Sequence, residues 1–207
     1  MIKNIIYFVE QSWLLISASF VFALLLAVTN AAWQPRIQQN QRDKFNNLAA
    51  GMLRDAVNFE TTLQDFEIET GKGKKIKTDI KKALSADKQC VGWAFVCEGP
   101  GFADKIKIVL TVDAKFEKLK GFGVLASNET PGFGDKIKND YFRSQFPGAP
   151  AGELTLSKTG DYKKTDSEII AITGATVSSE AVVKILNSFI EQVKGRLQKD
   201  GLIDNGK

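Results

Sequence analysis

The chain has 207 residues, 28 Lys and Arg against 24 Asp and Glu, a net charge of +4 and no histidine. That length buries a real core, and the slight basic excess comes with no nucleic-acid-reading module, so no nucleic-acid partner is expected. Without histidine and with only Cys90 and Cys97 as thiols, no metal site and no catalytic side chain are expected, which leaves a bound cofactor or a scaffold role.

The first element is Ser12–Ala32, 21 residues without a charge, bracketed by Trp13 and Trp33. At about 1.5 Å per residue it spans a hydrocarbon core of roughly 30 Å, and interfacial aromatics bracket membrane helices in this way. A cleaved signal peptide is the rival reading, but the run is long for one, Glu10 precedes it and its end makes a loose cleavage site. An uncleaved single-pass anchor in the cell membrane, in contact with lipid, is expected. Lys3 lies before it and Arg36, Arg42 and Lys44 after it, so charge counting leaves the following domain inside. Long domains translocate largely regardless of such charges.

From Gln34 to about Phe66 the spacing of Phe45, Leu48, Met52, Leu53 and Val57 predicts helix. "GKGKKIKTDIKK" then places six lysines in twelve residues. It reads as a solvated loop or hairpin tip, with docking to an acidic partner or lipid headgroups as the sharper alternative. Three strands are predicted at Cys90–Cys97, Lys105–Val112 and Leu119–Ala126, separated by turn residues. Cys90 and Cys97 in one strand would lie about 23 Å apart on opposite faces, too far to pair, and read as small buried hydrophobes.

Beyond the Gly-Pro loop "SNETPGFGDKI" and Tyr141–Phe146, a last helix is predicted from Ser178 to Leu197, with Val182, Ile185, Leu186, Phe189, Ile190 and Val193 on one face. The soluble part therefore reads as one α+β domain with a small antiparallel sheet and flanking helices. The expected organisation is a short segment 1–11, a transmembrane helix 12–32, a helical and lysine-rich connection 33–87, the main domain 88–198 and a tail 199–207.

Two glycine motifs carry no phosphate chemistry. Gly121-Phe-Gly123-Val-Leu-Ala126 fits G-x-G-x-x-A but leads into Ser-Asn-Glu-Thr-Pro rather than a helix, and "GKGKK" lacks the P-loop spacing. The richer signal is "TGATVSS", residues 173–179, with four hydroxyls around a Gly-Ala pair. Thr176 or Ser178 capping the last helix is the plain reading, although Ser179 makes a poor capping-box partner. Alternatively Thr176 carries a phosphate-linked group, which would sit at a helix N-terminus where free N–H groups and the dipole favour an anion.

"TGATVSS" followed by an apolar helix resembles the S/T-G-A-T-x-T/S signature of the FMN-binding domain family. "GWAFVCEGPGF" and "IKIVLTVDAKFEKLKGFGVLASNETPGFGDKI" are similar to the core of that family. With one N-terminal anchor, the chain as a whole resembles the family of G subunits of Rnf electron-transport complexes. The sister family, the C subunits of sodium-translocating NADH:quinone oxidoreductases, is usually longer. The resemblance is specific over 91–137 and 173–193. It departs in one place: the Asp that the family carries shortly before the tetrad is replaced by Ile169-Ile170-Ala171-Ile172, and the nearest acids are Asp166 and Glu168.

The resemblance implies FMN held covalently, its phosphate esterified to Thr176. A separate flavin transferase would install it from FAD, releasing AMP. It further implies that Thr173, Gly174 and Ala175 shape the attachment site and that Glu129, Thr130, Gly132 and Gly134 lie near the flavin ring. Trp93 and Phe102 are stacking candidates, each with the plainer reading of a core residue. The implied role is an electron relay between other membrane and peripheral subunits, in ferredoxin/NAD oxidoreduction coupled to Na⁺ or H⁺ translocation, with the domain on the extracytoplasmic side. Alternatives from other classes are a flavin-free, membrane-anchored assembly module and a flavin protein serving another membrane reductase.

Overall fold

Helix α1 runs over Ile2–Met52 and carries Pro35 inside it. The computed structural model describes residues 2–70 and 73–204, the side chains of 2–10 and 74 excepted. Lys3, Glu10, Gly71, Lys72 and the end of the expected 199–207 tail therefore lie wholly or in their side chains outside the described residues. Gln11–Met52 is the one helix among the described residues long and apolar enough to cross a membrane. Its hydroxyls suit that solvent: Ser17, Ser19 and Thr29 donate to the carbonyls of Leu14, Leu15 and Leu25, so none needs water.

The chain divides into two compact units, Met1–Asp43 and Lys44–Lys207. The second is built on a five-stranded antiparallel sheet in the order β1-β2-β3-β4-β5. Its strands are β1 Asn58–Thr70, β2 Lys74–Leu84, β3 Cys90–Pro100, β4 Lys105–Asp113 and β5 Leu119–Ser127. A 3-10 turn, Gly134–Lys138, and a short α2, Asp140–Arg143, follow. A parallel pair, β6 Thr155–Ser157 and β7 Glu168–Ile170, precedes α3, Thr176–Lys199.

Alternation along the strands decides what each face covers. Ile68, Ile80, Trp93, Phe95, Cys97, Ile108 and Leu110 form the main core with Val182, Leu186, Phe189, Ile190 and Val193 of α3. The opposite face, through Ala94 and Val109, packs on Phe45 and Ala49 in the last turns of α1. Helix α3 ends where Gly201 turns to φ +68°, with its N–H on the Gln198 carbonyl and that of Leu202 on Leu197, which satisfies two terminal carbonyls.

Several expectations are corrected. The helix predicted over Gln34–Phe66 stops at Met52, and Asn58–Phe66 is strand. Of the lysine-rich run, residues 74–82 are not loop but strand β2, whose Ile76, Thr78 and Ile80 turn to the main core side, while Lys81 lies over Phe45 on the opposite face and Lys82 over the edge of Trp93. The sheet thus has two more strands than the three expected. Cys90 and Cys97 do not lie on opposite faces: a bulge between Ala83↔Gly92 and Leu84↔Cys90 resets the alternation, and both border the main core. Both are free, and burial raises both thiols, Cys97 well above its usual range, as befits inert small hydrophobes.

Three side-chain amides complete the backbone bonding where strands have no neighbour. Gln145 bonds the N–H and carbonyl of Ile170 at 2.7 and 3.2 Å. Asn187 bonds both groups of Leu154, and Gln192 both groups of Glu69. Gln145 is 2% exposed, so Gln145→Leu strands two backbone groups without a partner. An unpaired buried group costs about 1–3 kcal/mol. The expected loss is about 2 kcal/mol, measured as a melting temperature lower by roughly 4–8 °C; an unchanged melting temperature would show the pairing to be dispensable.

Candidate functional site

Helix α3 begins at Thr176, and its N-cap is Ala175, at φ −138° and ψ 35°, with no side-chain cap. The capping role expected of Thr176 or Ser178 is therefore not what the structure shows. Ser179 Oγ, buried, donates to the Ala175 carbonyl and accepts from the Ile172 N–H, both at 3.0 Å. Ser178 Oγ, also buried, donates to Glu129. Thr173 is exposed, and half-buried Thr176 keeps a hydroxyl with no hydrogen bond among the described residues. The first bond of the helix is Ser179 N–H to the Ala175 carbonyl, so the N–H groups of Thr176, Val177 and Ser178 have no partner within it.

Thr176 opens onto a cleft of about 260 Å³ lined by Phe102, Thr130, Phe133, Gly134 and residues 174–178. Gly174 takes φ +81°, which brings it under the Phe133 ring: a Cβ there would stand 3.6 Å from Cδ1. Phe102 and Phe133 are 66% and 57% exposed, an unusual state for two large apolar rings on one cleft. The Lys136 ammonium lies 5.9 Å from the Phe133 ring centre. Among the described residues no group of three or more Asp, Glu or Cys could hold a metal ion.

Of the residues singled out in the sequence, Gly174, Ala175, Thr176, Thr130, Gly134 and Phe102 meet at this cleft. Thr173 and Gly132 are exposed nearby in sequence but do not line it. Glu129 is 4% exposed and sits behind the wall, not on it. Trp93 is 1% exposed, with Nε1 donating to the Ala114 carbonyl. It belongs to the core and is no stacking residue. Sequence reasoning missed Phe133, although a large apolar ring between Gly132 and Gly134 in a polar loop was an available signal.

The cleft fits a flavin phosphate ester in three respects: a free half-buried hydroxyl, unpartnered N–H groups at a helix start, and apolar walls. Comparison with known proteins supports FMN as the group. Residues 101–191 match the family model described as the FMN-binding domain. The G subunit of the ion-translocating oxidoreductase complex of Methanosarcina acetivorans is 28% identical over 178 residues, covering 86% of this chain and 90% of that protein. The G subunit of the proton-translocating ferredoxin:NAD(+) oxidoreductase complex of Clostridium ljungdahlii is 29% identical, covering 84% and 85%. Among solved structures, Shewanella oneidensis NqrC is similar with a TM-score of 0.53 at 22% identity, over 69% of this chain and 73% of that one. That likeness extends to the fold alone.

Proposed function

We propose that this chain, which carries an FMN-binding domain over residues 101–191, is the flavin-bearing relay subunit of a membrane-bound, Rnf-type ion-translocating oxidoreductase. FMN is joined through its phosphate to Thr176 Oγ1. The observation that carries the reading is that Thr176, alone among the buried or half-buried hydroxyls of 173–179, has no structural task. The relatives named as G subunits of ion-translocating complexes cover most of the chain and favour this complex over the NADH:quinone one.

The flavin supplies the electron-transfer chemistry that no side chain of this histidine-free protein offers. The chain's residues do the rest. Thr176 is the tether, and the N–H groups of 176–178 with the α3 dipole hold the phosphate anion. Phe102, Phe133 and Val177 exclude water from the cleft, and Gly174 lets the backbone turn beneath Phe133. Attachment would use the Thr176 hydroxyl as the nucleophile toward the flavin-side phosphorus of FAD, with AMP as the leaving group and the hydroxyl proton lost to solvent. A separate transferase performs it. Held there, the flavin would relay electrons between neighbouring subunits, from reduced ferredoxin toward NAD or the reverse.

Intact mass of the full chain, expressed with a flavin transferase, is expected to rise by FMN less one water; no gain of mass overturns the covalent reading.

The protein is anchored by its N-terminal helix, and we assign residues 44–207 to the extracytoplasmic side, where a lost flavin would be hard to replace. A reporter that works only in the cytoplasm, fused after Lys207, is expected to stay silent. Activity there would place the domain inside, and a mature chain beginning beyond Ala31 would make the helix a cleaved signal instead.

A further inference from the structure

Glu129 is a carboxylate buried behind the Thr176 cleft, and it joins two other segments to its own loop. Its Oε1 accepts from the Ala103 N–H at 3.0 Å and more weakly from that of Asp104 at 3.5 Å. Its Oε2 accepts from Ser178 Oγ in the first turn of α3. Its own backbone begins the loop that carries Thr130 and Phe133. Two glycines admit it. A Cβ on Gly101 would strike Oε1, and one on Gly134 would stand 2.8 Å from Oε2 and 2.6 Å from Ser178 Oγ. A carboxylate enclosed by backbone N–H donors, a hydroxyl and two side-chain-free positions is a built junction, since burying it without such donors would be costly.

The three segments joined there are the ones that furnish the cleft. The turn between β3 and β4 brings Phe102, the loop after β5 brings Thr130, Phe133 and Gly134, and α3 brings Thr176. The Gly101 N–H to Asp104 carbonyl bond at 2.8 Å closes the first turn on itself, but nothing else among the described hydrogen bonds links that turn to α3. Phe102 and Phe133, both exposed, have little packing of their own to hold them.

We propose that Glu129 is the positioning residue of this site: it locks the Phe102 turn and the Phe133 loop to the first turn of α3, so that both rings stand fixed beside Thr176. It acts through other residues and does not touch the group in the cleft. The consequence for the flavin rests on the attachment proposed above; the junction itself does not.

Two variants separate the hold from the charge. In Glu129→Gln the amide oxygen still accepts from Ala103 and the amide nitrogen donates to Ser178 Oγ, whose proton redirects, so the junction survives without the charge. Glu129→Ala removes every link made by the carboxylate. Among the described hydrogen bonds it leaves only the Asn128 Nδ2 to Asp104 bond, at 2.8 Å, between the turn and the loop and none from either to Ser178. Two readouts are taken on the full-length chain in detergent: backbone amide exchange at Ala103, and iodide quenching of flavin fluorescence in the labelled protein. Glu129→Ala is expected to exchange at Ala103 about tenfold faster, the factor for one hydrogen bond of ordinary strength, and to expose its flavin to iodide. Glu129→Gln is expected to match the unsubstituted chain in both.

Unchanged exchange and quenching in Glu129→Ala would overturn the proposal, as would Glu129→Gln failing as badly as Ala, which would make charge the agent. If Glu129→Ala does not fold, Ser178→Ala, which cuts only the link to α3, decides by quenching alone: increased access supports the lock and unchanged access removes it. Absence of label in the unsubstituted chain would instead sink the attachment, and the exchange readout would still judge Glu129.

Discussion

Replacing Thr176 by Val is expected to abolish all flavin that survives denaturation while leaving the melting temperature within a degree or two. Val keeps the β-branched shape and deletes one hydroxyl, and that hydroxyl makes no hydrogen bond among the described residues. The helix start does not depend on it either, because Ala175 is the N-cap and no side chain caps. The usual loss of about 1 kcal/mol for a missing cap therefore does not apply, and a shift within about 0.5 kcal/mol is expected. Thr173→Val, at an exposed position outside the cleft lining, should keep the label. In-gel fluorescence after denaturation reads both. Fluorescent Thr176→Val protein would move the attachment elsewhere, and loss of label in Thr173→Val alone would point to Thr173.

The second large effect is expected at Gly134, and its neighbour Gly132 is the control. The two glycines serve the loop for different reasons. Gly132 takes φ +78° with nothing within 4 Å of an added Cβ, so Gly132→Ala meets backbone strain alone, about 1 kcal/mol. Gly134 does not have a left-handed φ but has no room: its Cβ would stand 2.6 Å from Ser178 Oγ and 2.9 Å from Glu129 Cβ. Gly134→Val must push Glu129 and α3 apart, adding about 1–3 kcal/mol of overpacking to about 1–3 kcal/mol for buried groups left unpaired. A combined loss of about 4 kcal/mol is expected, seen as a melting temperature lower by roughly 8–16 °C, with weakened labelling of Thr176. A small shift in Gly134→Val, or an equal one in Gly132→Ala, would mean that the loop is held by backbone conformation and not by close approach.

The parts of the fold that were legible in the sequence are those carried by a local apolar run or stripe. The run of Ser12–Ala32 read correctly because it carries no charge at all, strands β3–β5 because each is a short apolar run bounded by turn residues, and α3 because its buried stripe is continuous. Strand β1 hid because its register shifts between Thr61 and Leu63 and again between Leu63 and Phe66, around Asp65 at φ +50°, which breaks a period of two. Strand β2 hid behind its lysines, although Ile76, Thr78 and Ile80 alternate plainly. At the site, the hydroxyl cluster was visible because it is local. The junction of Glu129 with Ser178 spans 49 positions, and no spacing rule reaches that far.

The amide of Gln192 has a consequence for how the molecule behaves before it meets any partner. Strand β1 is the outer strand of its sheet, and an outer strand invites another chain to add to it, the route to aggregates. Gln192 already occupies the N–H and carbonyl of Glu69, and Ser188 shares that carbonyl. The two register shifts break the remaining edge into runs of four and five residues, Asn58–Thr61 and Phe66–Thr70. The longer run, Phe66–Thr70, contains Glu69, so Gln192 is what closes it to a neighbour. Gln192→Ala should therefore leave the fold nearly intact and show itself in solubility, as self-association that grows with protein concentration.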